Sequence, residues 1–569
     1  MKLISFLRFF TFSRMTAGLR SPLEPTLQRH FSWLLVLGII LNALGLFTPI
    51  LETDGTLYAT IAKNMAQAND FINLTLEGDD WLDKPHFPFW VTAISYKIFG
   101  YTSFGYKLPP FLFWLAGAYY TYQLARLLYS TTVAQLAVLF YLTAEHLLIS
   151  NVDVRAEPYL TGMGIASVYF FYKAYRNHTL WPILWGSLWT AAAIMTKGLF
   201  VIIIIGAGFV IEWVVKGDWK QFISPKWYLA IFLTALFSMP ELYTLYVQFD
   251  LHPEKVVFGK TGVSGLYFFF WESQFGRFMN TGPIKGSGDP LFYTHTLLWA
   301  FLPWSALLYV AIFTRLFNKN GWKDREYVVV GTSVFSFIIF SASKFQLPHY
   351  LNILFPFFSI LTAFYLAQIT KETTTKRVIY FQYFVAIILF LSTLLGIYLI
   401  NINHALVVGI VVAVVAGGLL YFFPAKSITN VVVLCFMASV LMNGIYSAVL
   451  YPDIIRYQSG NTAADYINEH PEIKGVTVIR NNPINFALEF YANVPHTATI
   501  LEELPSIPAE TPLFIETSYL DLLRERGYEV TILKRFPHYH ISKLTMKFIN
   551  TKTRPAELQE TALVAVVKK

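Results

Sequence analysis

The chain has a single cysteine in 569 residues, Cys435, and it sits inside an apolar run. One thiol excludes a disulfide framework and a cysteine metal site within the chain. Charge is also scarce: 14% of residues are Asp, Glu, Lys or Arg, where an ordinary soluble domain carries roughly 25%. So little charge cannot solvate a fold of this size, and the 55% of hydrophobic residues, 17% of the chain being aromatic, need a solvent other than water. The net charge of +8 comes from basic residues scattered between apolar runs. Without a basic cluster on one soluble face, nucleic acid is excluded as a partner, and the charge reads as membrane topology. No internal repeat or low-complexity linker interrupts the chain.

What is present is a series of apolar runs long enough to cross a hydrocarbon core of about 30 Å as helices. They lie near 32–50, 109–127, 132–150, 158–174, 181–195, 199–215, 227–246, 292–314, 327–342, 351–368, 378–400, 405–422 and 429–449. The expected fold is a polytopic α-helical membrane protein of about 13 transmembrane helices with a C-terminal extracytoplasmic α/β domain. Residues 1–31, with Lys2, Arg8, Arg14, Arg20 and Arg29, read as a cytoplasmic lead-in to a retained helix. With that end inside, the inner connections hold Lys173 and Arg176; Lys216, Lys220 and Lys226; Arg315, Lys319, Lys323 and Arg325; and Lys371, Lys376 and Arg377. This is the positive-inside pattern.

The same count makes 32–450 the membrane domain, with outer loops at 51–108 and 247–293, and sends the tail 451–569 outward. In the tail, Thr462–Glu469 and Tyr519–Arg526 read as helices, and Gly475–Ile479, Leu513–Ile515, Glu529–Leu533 and Leu563–Val567 as strands.

The first outer loop is acidic beside the membrane, with Glu52, Asp54, Asp70, Glu77, Asp79, Asp80 and Asp83 ahead of Lys84-Pro85. Asp54 precedes a stretch of helical periodicity, so it is a candidate N-cap. A carboxylate fixed there is equally placed to take a proton from a hydroxyl or, with Glu52, to hold a divalent metal ion. Lys84, Lys197, Arg277 and Lys344 are cations on the outer side, against the charge bias. They either snorkel singly to the interface or converge on an anionic headgroup. Asp153 and Glu157 flank Arg155 at the outer end of the third span, where a local ion pair is the simpler reading. Tyr267-Phe268-Phe269-Phe270-Trp271-Glu272 forms an interfacial aromatic stretch, and Glu241 is an intramembrane acid with no assigned role.

In order along the chain, several motifs resemble those of the GT-C type membrane glycosyltransferases, in the branch of the lipid A aminoarabinose transferases and protein O-mannosyltransferases. They are Asp54-Gly55-Thr56-Leu57-Tyr58-Ala59, Leu82-Asp83-Lys84-Pro85 with Phe89-Trp90, Phe99-Gly100 with Lys107-Leu108-Pro109, and Asp153. Met195-Thr196-Lys197-Gly198, Phe270-Trp271-Glu272 with Arg277-Phe278, Leu302-Pro303-Trp304, and Ser343-Lys344 with Leu347-Pro348-His349-Tyr350 follow. The resemblance covers about residues 32–370. It departs at Gly55, where the family usually has glutamate, and at His86, where a second proline is usual. Metal use is left open by the first departure.

The resemblance implies inverting transfer of a sugar from a polyprenyl-phosphate carrier to a lipid, glycan or protein acceptor, at the outer face of the plasma (inner) membrane. Asp54 would be the catalytic carboxylate and Asp153 a supporting acid, with Lys84, Lys197, Arg277 and Tyr350 binding the donor phosphate or an anionic acceptor headgroup; Lys344 is a candidate for the same group. A transporter or lipid flippase shares the span count, but needs neither the acidic first loop nor a folded outer tail. A receptor or assembly protein would need fewer spans.

Overall fold

The computed structural model describes residues 24–177, 179–317, 326–400, 404–480, 482–500 and 511–568. Lys319, Lys323 and Arg325 of the inner connections, and most of the amino-terminal lead-in, lie outside the described residues.

Every expected apolar run falls on helix. Among the described residues, six helices are long and apolar enough to cross a membrane: Leu27–Phe47, Pro225–Asp250, Pro348–Ala367, Glu372–Ile400, Ala405–Phe422 and Ile428–Ile455. A seventh span results if Thr131–Thr143 and Glu145–Val152, bent by 51°, are one crossing. The bend is at Ala144, whose extended backbone ends the first helix. The Glu145 N–H freed there donates to Leu302 O at 3.1 Å. Other runs are shorter helices, and the run at 292–314 is two, Phe292–Ala300 and Ser305–Phe317, with Pro303 in the turn between them. The core between helices is aromatic: Trp304 is fully buried, stacks on Phe140 with ring centres 4.1 Å apart, and donates to Thr143.

The first loop folds as the helix Asp54–Ala68, a two-stranded hairpin of β1 (Thr75–Leu76) and β2 (Asp79–Asp80), and the helix Phe87–Phe99. Glu77 and Gly78 turn the hairpin with φ of 54° and 86°. Positive φ at both turn positions matches the twist of the flanking strands.

The tail holds a five-stranded mixed sheet in the order β4-β3-β5-β7-β6. Its strands are β3 (Val476–Ile479), β4 (His496–Thr499), β5 (Leu513–Glu516), β6 (Tyr528–His538) and β7 (Gln559–Lys568). β3 runs parallel to β4 and β5, while β7 lies antiparallel between β5 and β6. Pro537 is accommodated because β6 is an edge strand.

Tail and first loop share a hydrophobic cluster in which Phe486 and Phe490 pack with Ile61, Met65, Phe89 and Tyr96. Lys63 Nζ donates to the carbonyls of Glu489 and Phe490 at 2.9 and 2.8 Å. Arg480 pairs with Asp79 at 3.0 Å.

Candidate active site

The segment leading to Asp54 is held from two sides. Lys107, fully buried, donates to the carbonyls of Gly45, Thr48 and Pro49. From the tail, Gln458 accepts from Glu52 N at 2.9 Å and donates to Ile50 O at 2.9 Å. Asp54 is the first residue of its helix, and the N-cap is Thr53, without a side-chain cap bond. The expectation that Asp54 caps this helix is therefore corrected. Its carboxylate turns instead to Arg155, whose Nη1 lies 2.6 Å from Oδ2. Arg155 also reaches Asp153 at 3.2 Å, so one guanidinium joins the two acids. The expected ion pair of Arg155 with its neighbour Asp153 is present. Glu157 takes a different cation, Lys197.

Three of the four cations expected on the outer side, Lys84, Arg277 and Lys197, do not snorkel. The side chains of Lys84, Arg277 and Lys197 are 17%, 14% and 10% exposed, and each is paired with an acid. Lys84 and Arg277 both bind Asp83, one at each carboxylate oxygen. Burial raises the Asp83 carboxyl, but the two cations outweigh it and hold Asp83 below the usual carboxylate range. Burial lowers the Lys84 ammonium below the ordinary lysine value, with Asp83 opposing. Lys197 lies over the Tyr350 ring, 3.9 Å from its centre, and His349 stands 3.8 Å from the same Glu157.

Lys197 is brought here by a break in the chain. Its helix, Trp181–Lys197, stops at Gly198, where φ is 97°. A Cβ on that residue would meet the Gln274 side chain at 2.1 Å. Gln274 closes over the glycine, accepting from Phe200 N at 3.2 Å. It belongs to the wide π-helical turns Phe268–Gly276, which carry the aromatic stretch and deliver Arg277.

Lys84, Lys197 and Arg277 together line one small pocket with Asp83 and Glu241. Beside it is a cleft of about 530 Å³ whose lining is mostly apolar, including Leu199, Ile203, Phe275 and Phe340, and shares Lys197, Arg277 and Tyr350 with the charged region. The pocket gathers three cations about the carboxylates Asp83 and Glu241 and shares Lys197 and Arg277 with the apolar cleft. That combination suits a phosphate on a lipid chain. Lys344 does not join it: the residue is exposed and lines a separate pocket with Gly288, Pro290 and Ile338.

The residues do not fit a metal centre. Among the described residues, no three His, Cys, Asp or Glu side chains gather as metal ligands. Glu52 is buried, which pushes its carboxyl well above the carboxylate range, and Asp54 is committed to Arg155.

Sequence reasoning passed over Asp83 as a shared partner, Arg155 as the link between Asp54 and Asp153, and Gln274 and Gln458 as clamps. The doublet Asp83-Lys84 and the alternation Asp153, Arg155, Glu157 were the available signals. Nothing local marks Gln274 or Gln458, whose partners lie 74 and 406 residues away.

The chain is similar to several known proteins. Residues 83–243 match the family model of dolichyl-phosphate-mannose-protein mannosyltransferase. The crystal structure of ArnT from Cupriavidus metallidurans bound to undecaprenyl phosphate superposes with a TM-score of 0.70 at 17% identity, covering 93% of this chain and 97% of that one. The chain shares the fold of that structure. Among curated relatives, the undecaprenyl phosphate-α-4-amino-4-deoxy-L-arabinose arabinosyl transferase of Edwardsiella ictaluri is 28% identical over 56% of this chain. Its counterpart in Enterobacter sp. is 26% identical over 61%. The alignments span 56% and 62% of those relatives' own lengths. The paired acids and the cationic pocket come from the first loop (Asp54, Asp83, Lys84), the turn after Glu145–Val152 (Asp153, Arg155), the end of the helix Trp181–Lys197 and Arg277 after the π-helical turns, and residues 83–243 of the family match include Asp83, Lys84, Asp153, Arg155 and Lys197.

Proposed function

We propose that this multi-pass membrane protein is a glycosyltransferase that moves a sugar from a polyprenyl-phosphate carrier, undecaprenyl in type, to a lipid, glycan or protein acceptor. The observation that carries the proposal is the convergence of Lys84, Lys197 and Arg277 on one pocket beside an apolar cleft that shares Lys197 and Arg277. A transporter or flippase has no use for a carboxylate pair held by one arginine next to such a cradle.

In this reading the acceptor oxygen attacks the anomeric carbon as the bond from that carbon to the carrier phosphate oxygen breaks. Asp54 takes the acceptor's proton, and the departing phosphate keeps the electron pair. The cations stabilise the charge that grows on the phosphate, which favours the transition state over the bound donor. Arg155 orients Asp54 and supports Asp153 beside it. Attack opposite the leaving phosphate in a single displacement inverts the anomeric centre.

The surface with Asp54 faces outward across the plasma (inner) membrane, with about 13 crossings in 32–450 and the sheet-bearing tail 451–569 on the same side. The inner-loop cations support this orientation. The Asp79–Arg480 contact supports a shared side for the first loop and the tail.

The test is mass spectrometry of lipids, glycans and glycoproteins from cells with and without the gene, followed by transfer with purified protein and undecaprenyl-phosphate-linked sugars. The aminoarabinose of the named relatives is the first donor to try. A sugar adduct that depends on the gene and is rebuilt in vitro supports the proposal; an unchanged glycome overturns it.

A further inference from the structure

Glu241, the intramembrane acid without an assignment, is fully buried against His86, which is also fully buried. The two are 155 residues apart. Glu241 Oε2 accepts the backbone N–H of His86 at 2.9 Å, and Oε1 lies 3.1 Å from the ring Nδ1. The ring's other nitrogen, Nε2, is 2.9 Å from Ile72 O. A carbonyl carries no proton, so Nε2 donates there, and a second proton lies between Nδ1 and the carboxylate. Both faces of the ring edge and the peptide behind it are thereby fixed.

What they fix is the lysine. His86 follows Lys84 by two residues, and Pro85 between them has a ring-locked φ, so displacement of one end of the tripeptide is passed to the other. Glu241 itself lines the pocket that holds Lys84, Lys197 and Arg277. We infer that His86 and Glu241 are positioning residues, a buried latch between the helix Pro225–Leu245 and the first loop that sets the Lys84 ammonium and its partner Asp83 for a lipid-linked phosphate. The inference rests on the carrier reading of the site.

Loss of the latch leaves the buried His86 N–H without its partner and the ring Nδ1 with only Thr244 Oγ1 at 3.4 Å, which the loop relieves only by moving. Glutamine at 241 behaves differently. Its amide oxygen accepts the His86 N–H, its amide N–H donates to Nδ1 of a neutral ring, and Nε2 still donates to Ile72. Glu241→Gln therefore keeps every contact and removes only the charge, whereas Glu241→Leu removes the contacts.

The experiment measures affinity of the purified full-length protein for undecaprenyl phosphate and for undecaprenol, which lacks the phosphate. Glu241→Leu is expected to weaken undecaprenyl phosphate about tenfold, the loss of roughly one charge-assisted hydrogen bond, and to leave undecaprenol binding unchanged. Glu241→Gln is expected to bind both lipids as the wild type does. His86→Phe, which keeps the ring's bulk, is the second contact-removing variant with the same expectation as Glu241→Leu. A Leu or Phe variant that retains the full preference for the phosphate overturns the inference alone, as does a Gln variant as weak as the Leu variant. Wild-type protein that binds the two lipids equally overturns the carrier reading, and the inference with it.

Discussion

Asp54 Oδ2 stands 2.6 Å from Arg155 Nη1, and the same guanidinium holds Asp153 at 3.2 Å. Asp54 is nonetheless 42% exposed at its side chain, so a reacting hydroxyl can reach the carboxylate without displacing the arginine. Asn at this position keeps the size and an oxygen for Arg155 but cannot accept a proton. Asp54→Asn is expected to accumulate normally in the membrane and bind undecaprenyl phosphate, yet transfer sugar at least ~100-fold more slowly, the low end for a lost general base. Near-normal turnover would move the catalytic role to Asp153.

Lys84 and Arg277 bind opposite oxygens of Asp83, and Lys197 lines the same pocket. Groups acting on one ligand do not lose affinity independently. Each alanine variant should weaken undecaprenyl phosphate, and the pairs should lose less than the sum of the singles in a double-mutant cycle. Lys344→Ala, whose residue lines a separate pocket, should bind the lipid as the wild type does; a loss equal to that of Lys84→Ala would contradict the site drawn here.

The lowered Lys84 ammonium predicts a pH dependence. Free lysine loses its proton near 10.4, and Lys84 loses it at a lower pH because burial disfavours the charged form. A neutral amine does not hold a phosphate, so affinity for undecaprenyl phosphate is complete while Lys84 is charged and falls as the pH rises through that lowered value. Lys84→Arg, whose charge persists across this range, should keep its affinity to higher pH than the wild type. Identical alkaline limbs in the two proteins would assign the titration to another group.

How far this arrangement can be read from the sequence depends on the range of the interactions. The apolar runs report removal from water, a property legible in each helix alone, and all fall on helix. In the tail, Leu513–Glu516 is seen within a residue of its expected position, because a short β-branched and aromatic run signals itself. Tyr528–His538 is six residues longer than expected, since pairing with β7 continues past a bulge at Ile532/Lys534 that breaks the alternation. Strand His496–Thr499 is polar and half-exposed, held by parallel pairing to β3, and carries no periodic signal of its own. At the site, residue types and order were legible, whereas the pairing was not: Arg277 meets Asp83 across 194 residues, and no local pattern encodes that meeting.

Gln458 has no charge and no catalytic chemistry, yet it clamps Ile50 and Glu52 just ahead of Asp54 and is itself fully buried. Gln458→Leu leaves the Glu52 N–H and the Ile50 carbonyl without their partner and should slow transfer at least ~10-fold, two lost buried hydrogen bonds expressed as misplacement of Asp54. Undecaprenyl phosphate affinity should change little, since Lys84, Lys197 and Arg277 are anchored elsewhere. A parallel loss of lipid binding would show general unfolding rather than a local shift.

Topology can be checked with the native chain as background, because Cys435 is buried. Cysteine at Asp79 or at Asp521, whose side chains are 54% and 86% exposed, should react with an impermeant thiol reagent in spheroplasts. Cysteine at Thr373, in the inner connection and exposed, should react only after the membrane is opened. The reverse pattern would invert the orientation proposed here.

The place of β7 in the sheet bears on how the protein is made. The strand nearest the carboxyl end of the described chain is inserted between β5 and β6, so the sheet cannot close while those residues are still in the ribosome or the translocation channel. The membrane helices can pack as they emerge, whereas β5 and β6, which meet only through β7, join one sheet only when Gln559–Lys568 is in place. A chain halted before β7 therefore carries two neighbouring strands each with an open edge, a surface that invites pairing with other chains.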